Sequence, residues 1–182
     1  MQYEVEQKFR VSDPSALEDK LGRLAGPIGS PIVQVDVYFR HPARDFAQTD
    51  EALRIRSIGD RHFVTYKGPK IDRETKTRQE LELPLGEGTA VLAGFTQLLT
   101  SLGFEPAREV RKARRAFHIV SSGAEVEGAL DSVDGLGDFI ELEILAEPAD
   151  VEAAKQAILS LAKELGLQMP ERRSYLEMLL GD

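Results

Sequence analysis

Residues 2–11 read QYEVEQKFRV, and their alternation decides the architecture. Tyr3, Val5, Phe9 and Val11 fall on one face; Glu4, Glu6, Lys8 and Arg10 fall on the other. Strand side chains repeat with period two, so this segment is a strand with one packed and one charged face. The same pattern returns downstream. Residues 32–40 alternate Val33, Val35, Val37 and Phe39 against Gln34, Asp36, Tyr38 and Arg40. Residues 52–58 and 61–67, split by Gly59-Asp60, read as a hairpin. Residues 76–84 place Arg78, Glu80 and Glu82 on one face. Residues 108–120, 124–133 and 138–146 supply three further strands, separated by Ser-Ser-Gly and Asp134-Gly-Leu-Gly.

Helical spacing fills the intervals. Ser12-Asp13-Pro14 starts a helix that carries Leu17, Leu21 and Leu24 to about Ala25. Residues 87–102 repeat Val91, Leu92, Phe95, Leu98, Leu99 and Leu102 before Gly103, and residues 149–165 form an apolar-striped helix that stops at Gly166. Residues 41–51 read as a polar loop and 171–180 as a short last helix. The apolar Tyr175, Leu176, Met178, Leu179 and Leu180 there suit docking on the chain's own domain or on a partner. About eight strands and three main helices, mostly joined by tight turns, predict a single α+β domain over 1–182 with a mainly antiparallel sheet.

Composition narrows the class. The 182 residues are 42% hydrophobic and 30% charged, a globular balance. No apolar run reaches membrane-spanning length, and Met1 leads directly into a charged strand rather than a signal segment. Cysteine is absent, which excludes disulfides and thiolate chemistry and fits a cytoplasmic setting. The net charge of −8 argues against nucleic acid as a partner, despite the cluster Arg111-Lys112 and Arg114-Arg115.

The polar sides of the strands carry the functional signal. At spacing two they present Glu4, Glu6, Lys8, Arg10, Asp36, Arg54, Arg56, Lys67, Arg78, Glu80, Glu82, Lys112, Arg114, Glu127, Asp131, Glu141 and Glu143. On a single strand this is what a solvated outer face looks like. Repeated on nearly every strand, it fits a closed barrel with a charged, water-filled lumen. Facing carboxylates repel unless a cation joins them, and converging Lys and Arg require anions. A divalent metal with a polyphosphate satisfies both sets. Without Cys, and with His41, His62 and His118 at no zinc spacing, the ligands point to Mg²⁺ or Mn²⁺. There is no GxxxxGK[ST] loop, and Ser57, Ser132 and Ser174 lack a His partner at a suggestive spacing.

These residues resemble a known family. Glu4-Val5-Glu6-Gln7-Lys8 has the form ExExK of the CYTH, or triphosphate tunnel metalloenzyme, superfamily. Later blocks follow in order: Asp36-Val-Tyr38, Arg54-Ile-Arg56, Tyr66-Lys67-Gly68-Pro69, Arg78-Gln-Glu80-Leu-Glu82, Lys112-Ala-Arg114, Leu130-Asp131, Gly137-Asp-Phe139 and Glu141-Leu-Glu143. The resemblance implies a closed eight-stranded antiparallel tunnel with helices outside. It implies metal ligands among Glu4, Glu6, Glu80, Glu82, Asp131, Glu141 and Glu143. It implies triphosphate contacts from Lys8, Arg54, Arg56, Lys67, Arg78, Lys112 and Arg114, with Lys8, Arg56, Lys67 and Lys112 in catalytic roles. The Gly135–Phe139 block and the ending Arg173-Ser174-Tyr175-Leu176 look most like class IV (CyaB-type) adenylyl cyclases, and so allow a homodimer. Complete R-x-E-x-E and E-x-E pairs are also what the family's triphosphatases show. Cyclisation of ATP, hydrolysis of inorganic or thiamine triphosphate, and non-catalytic polyphosphate or nucleotide binding therefore stand as three readings.

Overall fold

The computed structural model describes residues 3–71 and 75–181. Its strands are β1 (Tyr3–Arg10), β2 (Ile32–Arg40), β3 (Ala52–Ile58), β4 (Arg61–Lys67), β5 (Arg78–Glu87), β6 (Glu105–Ser121), β7 (Ala124–Val133) and β8 (Gly137–Ala146). They close into an antiparallel barrel in the order β1-β5-β4-β3-β2-β6-β7-β8. The helices are α1 (Pro14–Leu24), α2 (Phe46–Thr49), α3 (Thr89–Ser101), α4 (Val151–Leu165) and α5 (Tyr175–Leu180). The expected loop 41–51 contains α2, whose first turn is capped by Asp45 accepting from Ala47 N at 3.1 Å. The last helix starts at Tyr175 rather than 171, where Ser174 and Glu177 form a capping box. No helix among the described residues is long and apolar enough to cross a membrane.

Two of the three apolar cores lie outside the barrel, and the third closes one end of its lumen. Val5, Phe9, Leu142 and Ile140 on the outer sheet face pack under α1 and α4 with Leu21, Ile158 and Leu161. Phe39 and Ile55 pack under α3 with Leu99. Phe117 fits this outer layer because it lies across Gly128, its strand partner; a Cβ there would stand 2.0 Å from the ring. With apolar side chains turned outward to the helices, period-two alternation forces the charged residues into the lumen.

Closure is uneven. β1 pairs with β8 over eight residues but with β5 only at Tyr3↔Gln79 and Glu4↔Arg78. Beyond that point Lys76 N donates to Glu6 O at 2.9 Å and Glu171 N donates to Lys8 O at 2.7 Å. Connecting segments thus satisfy the β1 edge where β5 has diverged. At one barrel end α5 docks Tyr175 and Met178 onto Tyr38, Val110, Val133 and Phe139.

Candidate active site

One cavity of about 1410 Å³ occupies the lumen. Glu4, Glu6 and Lys8 reach it from β1, Arg54 and Arg56 from β3, and Lys67 from β4. Arg78, Glu80 and Glu82 reach it from β5, Lys112 and Arg114 from β6, and Glu141 and Glu143 from β8. The strand parity thus brings together 13 of the 14 expected residues. The fourteenth, Asp131, has lumen parity but lies beneath Lys112, Arg114 and Tyr175 and does not line the cavity.

Most of these charges are paired across strands. Lys67 Nζ donates to Glu4 Oε1 at 2.6 Å and lies 2.7 Å from Glu80 Oε2. Arg56 grips Asp36 through two 2.7 Å bonds, and Arg54 Nη1 reaches the same carboxylate at 3.1 Å. Asp131 accepts from Lys112 Nζ at 2.8 Å, from Arg114 Nε at 2.7 Å and from the Tyr175 hydroxyl at 3.0 Å. Asp36 and Asp131 are each about 1% exposed and serve as counter-ions that aim neighbouring cations into the lumen. Arg114 continues to Glu141. Glu82 sits at the exposed rim, where Thr65 Oγ1 donates to it at 2.9 Å.

Two residues join the site that the sequence reading leaves out. Lys76 lines the cavity and its Nζ donates to Glu6 Oε1 at 2.8 Å. It has the same parity as Arg78, which is the signal that could have found it. Tyr175 closes the lumen with its ring 4.0 Å from Lys8 Nζ and 5.1 Å from Lys112 Nζ, a cation–π geometry. No local period marks it. Arg10, by contrast, has lumen parity but leaves at the barrel end, 4.9 Å over the Phe139 ring. The basic cluster 111–115 splits: Lys112 and Arg114 turn inward, while Arg111 lies 3.9 Å from Asp134 and Arg115 pairs with Glu18.

Burial and crowding shift the charges. Burial lowers Lys8 to about 7, with Lys76 adding to the effect against Glu141 and Glu6. Burial and then Arg114 lower Lys112 to about 8. Burial opposes ionisation of Glu141, but Lys112, Arg114, Lys8 and Lys76 hold it well below the carboxylate range. Glu143 goes the other way: burial, then Glu4, Glu6 and Glu80, push it up to about 8.

Among the described residues no three acidic or histidine groups already converge at ligating distance. The donor set still suits a hard divalent cation. It is all carboxylate, and the crowding of Glu143 against Glu4, Glu6 and Glu80 is repulsion that such a cation relieves.

These shifts predict a pH profile for the ligand-free protein. The folded Glu143 value lies above its unfolded one, so its stabilising contribution is full below about 4.5 and is lost as pH rises through 8. Lys8 and Lys112 are lowered, so stability recovers as pH rises from about 7 towards 10.5. Thermal unfolding from pH 5 to 9 should show a minimum between about 7 and 8. Glu143→Gln should remove the falling limb between pH 5 and 7 and leave the later rise. Parallel profiles for the two proteins over pH 5–7 would refute the assignment.

Residues 2–175 match the sequence profile of the CYTH domain. The chain belongs to the CYTH family. A CYTH relative from Methanocaldococcus jannaschii, provisionally named an adenylate cyclase, is 34% identical over 96% of this chain and 97% of its own. The adenylate cyclase CyaB of Aeromonas hydrophila is 27% identical over 95% of this chain and 86% of its own. The solved structure of the PH1819 protein of Pyrococcus horikoshii superposes with a TM-score of 0.84 at 39% identity, covering 98% of both chains. The barrel described above is therefore a CYTH fold.

Proposed function

We propose that this CYTH protein is a metal-dependent adenylyl cyclase that converts ATP to cyclic AMP and pyrophosphate. The carrying observation is the lumen itself: cations from six strands and carboxylates from four face one cavity. Arg54 and Arg56, braced by Asp36, and Lys112 and Arg114, braced by Asp131, present fixed positive charge to phosphate oxygens. Lys8, Lys67 and Arg78 add charge from β1, β4 and β5.

Glu4, Glu6, Glu141 and Glu143, with Glu80 and Glu82 nearer the rim, would hold Mg²⁺ or Mn²⁺, which supplies charge neutralisation on the phosphate oxygens. In cyclisation the ribose 3′ hydroxyl gives up its proton to solvent, its oxygen bonds to the α-phosphorus, the bond from that phosphorus to the bridging oxygen breaks, and pyrophosphate leaves. The chain's contribution is positioning and electrostatic stabilisation of the displaced charge. Room for the nucleoside supports the nucleotide reading. The cavity continues past the cations to His41, Arg44 and Phe46 on the β2–β3 connection, where the His41 and Phe46 ring centroids lie 5.3 Å apart. The adenylate cyclase names of two relatives point the same way.

A second reading, triphosphate hydrolysis, is favoured by the completeness of both carboxylate pairs, Glu80 with Glu82 and Glu141 with Glu143, all facing the lumen. Incubation with ATP, tripolyphosphate and thiamine triphosphate, each with Mg²⁺ or Mn²⁺, separates the two by product. Cyclic AMP with equimolar pyrophosphate is the expected result. Orthophosphate as the product supports hydrolysis, and binding without turnover refutes both.

A further inference from the structure

Lys76 is a lumen cation that the proposed function does not use, and its position is unusually constrained. Its backbone N–H is tied to Glu6 O, which fixes its Cα beside β1. Its Nζ lies 2.8 Å from Glu6 Oε1, and its side chain is only 5% exposed. Thr75 and Thr77 on either side bond to each other at 2.6 Å, steadying the backbone around it. The ammonium therefore occupies the carboxylate that the proposed function gives to a divalent cation. Both cannot hold Glu6 at once: they compete for the same oxygens, and like charges at that separation repel. Lysine is suited to exchange, because four methylenes let the head move while the backbone stays.

We infer that Lys76 is a tethered cation that holds the metal's place on Glu6 in the ligand-free protein. When the divalent ion arrives, the ammonium is displaced into the lumen and turns to the phosphate oxygens. Metal and triphosphate are thereby linked: each favours the state in which the other binds. The inference rests on the metal reading of Glu6 and adds a positioning residue to it.

The test is titration of the intact protein with Mn²⁺, reading free Mn²⁺ by electron paramagnetic resonance, with no nucleotide present. Lys76→Met removes the competing charge and should bind Mn²⁺ about tenfold more tightly than wild type, within the usual range of coupling between sites. Lys76→Arg should stay near wild type. With tripolyphosphate added, the advantage of Lys76→Met should disappear, because the wild-type lysine then has a phosphate to hold. Far-UV circular dichroism checks folding, and Lys76→Gln replaces the methionine variant if that variant does not fold. Unchanged or weaker Mn²⁺ binding by the folded variant, without tripolyphosphate, overturns the inference. Glu6→Gln in the same titration separates the two layers. If it loses Mn²⁺ while Lys76→Met is unchanged, only the tethered-cation role fails. If Glu6→Gln binds Mn²⁺ as wild type does, both fail.

Discussion

Glu6→Gln should lower metal-dependent turnover by about a hundredfold or more, the scale of removing one preorganised electrostatic contact from a reaction centre. Gln keeps the shape of the side chain but loses the anionic oxygens that a hard cation requires. The fold should survive. In the ligand-free protein Glu6 pairs with Lys76, and the Gln amide oxygen still accepts a bond from that ammonium. The stability cost should then be about that of weakening one charge-assisted hydrogen bond, ~1–3 kcal/mol. Steady-state rates with Mg²⁺ and Mn²⁺, alongside a melting curve, check both halves. Full turnover by Glu6→Gln, persisting with a chelator, would remove metal chemistry from the account.

Asp131→Ala should be the most destabilising single change in the lumen wall. Its carboxylate is buried and serves Lys112, Arg114 and Tyr175 together. Removing it strands Lys112 without its nearest anion and leaves Arg114 to Glu141 alone. Breaking a buried pair from one side typically costs about 3–5 kcal/mol. For a chain of this size that lowers the melting temperature on the order of 10 °C. Tripolyphosphate should restore part of the loss, since its oxygens can replace the missing counter-ion. A metal ligand exposed to the lumen would behave differently. Its loss would weaken Mn²⁺ binding and lower the ligand-free melting temperature by less than Asp131→Ala does.

Much of this site is legible in the sequence because it is written in strand parity. Glu4, Glu6 and Lys8, or Arg54 and Arg56, share a face by spacing alone, and the apolar helices claim the other face. Parity gives a face and no more. It cannot separate Asp131, which braces cations from beneath, from Glu141, which lines the cavity, because both have lumen parity. Nor does it show that Asp36 serves Arg54 and Arg56; that follows from the register Asp36↔Arg56 and Tyr38↔Arg54. Lys67 meets Glu4 across 63 residues of chain only because β5 and β1 close the barrel. The short β1–β5 seam is also why Lys76 acts as a lumen residue although it lies outside β5. Tyr175 enters from a helix end, where neither the period of two nor that of 3.6 applies across the docking contact.

If charges from separate strands form one triphosphate site, thermal shift should register it most directly. A ligand that binds only the folded state stabilises it by about 2.7 kcal/mol at a hundred times its dissociation constant. Tripolyphosphate with Mg²⁺ should therefore raise the melting temperature by roughly 5–10 °C, and orthophosphate should do much less, because it spans few of the cations. Arg56→Ala on β3 and Lys112→Ala on β6 should each shrink the shift, although the two residues lie on different strands and brace on different aspartates. No shift with tripolyphosphate, or a shift diminished by only one of the two substitutions, would contradict a single shared site.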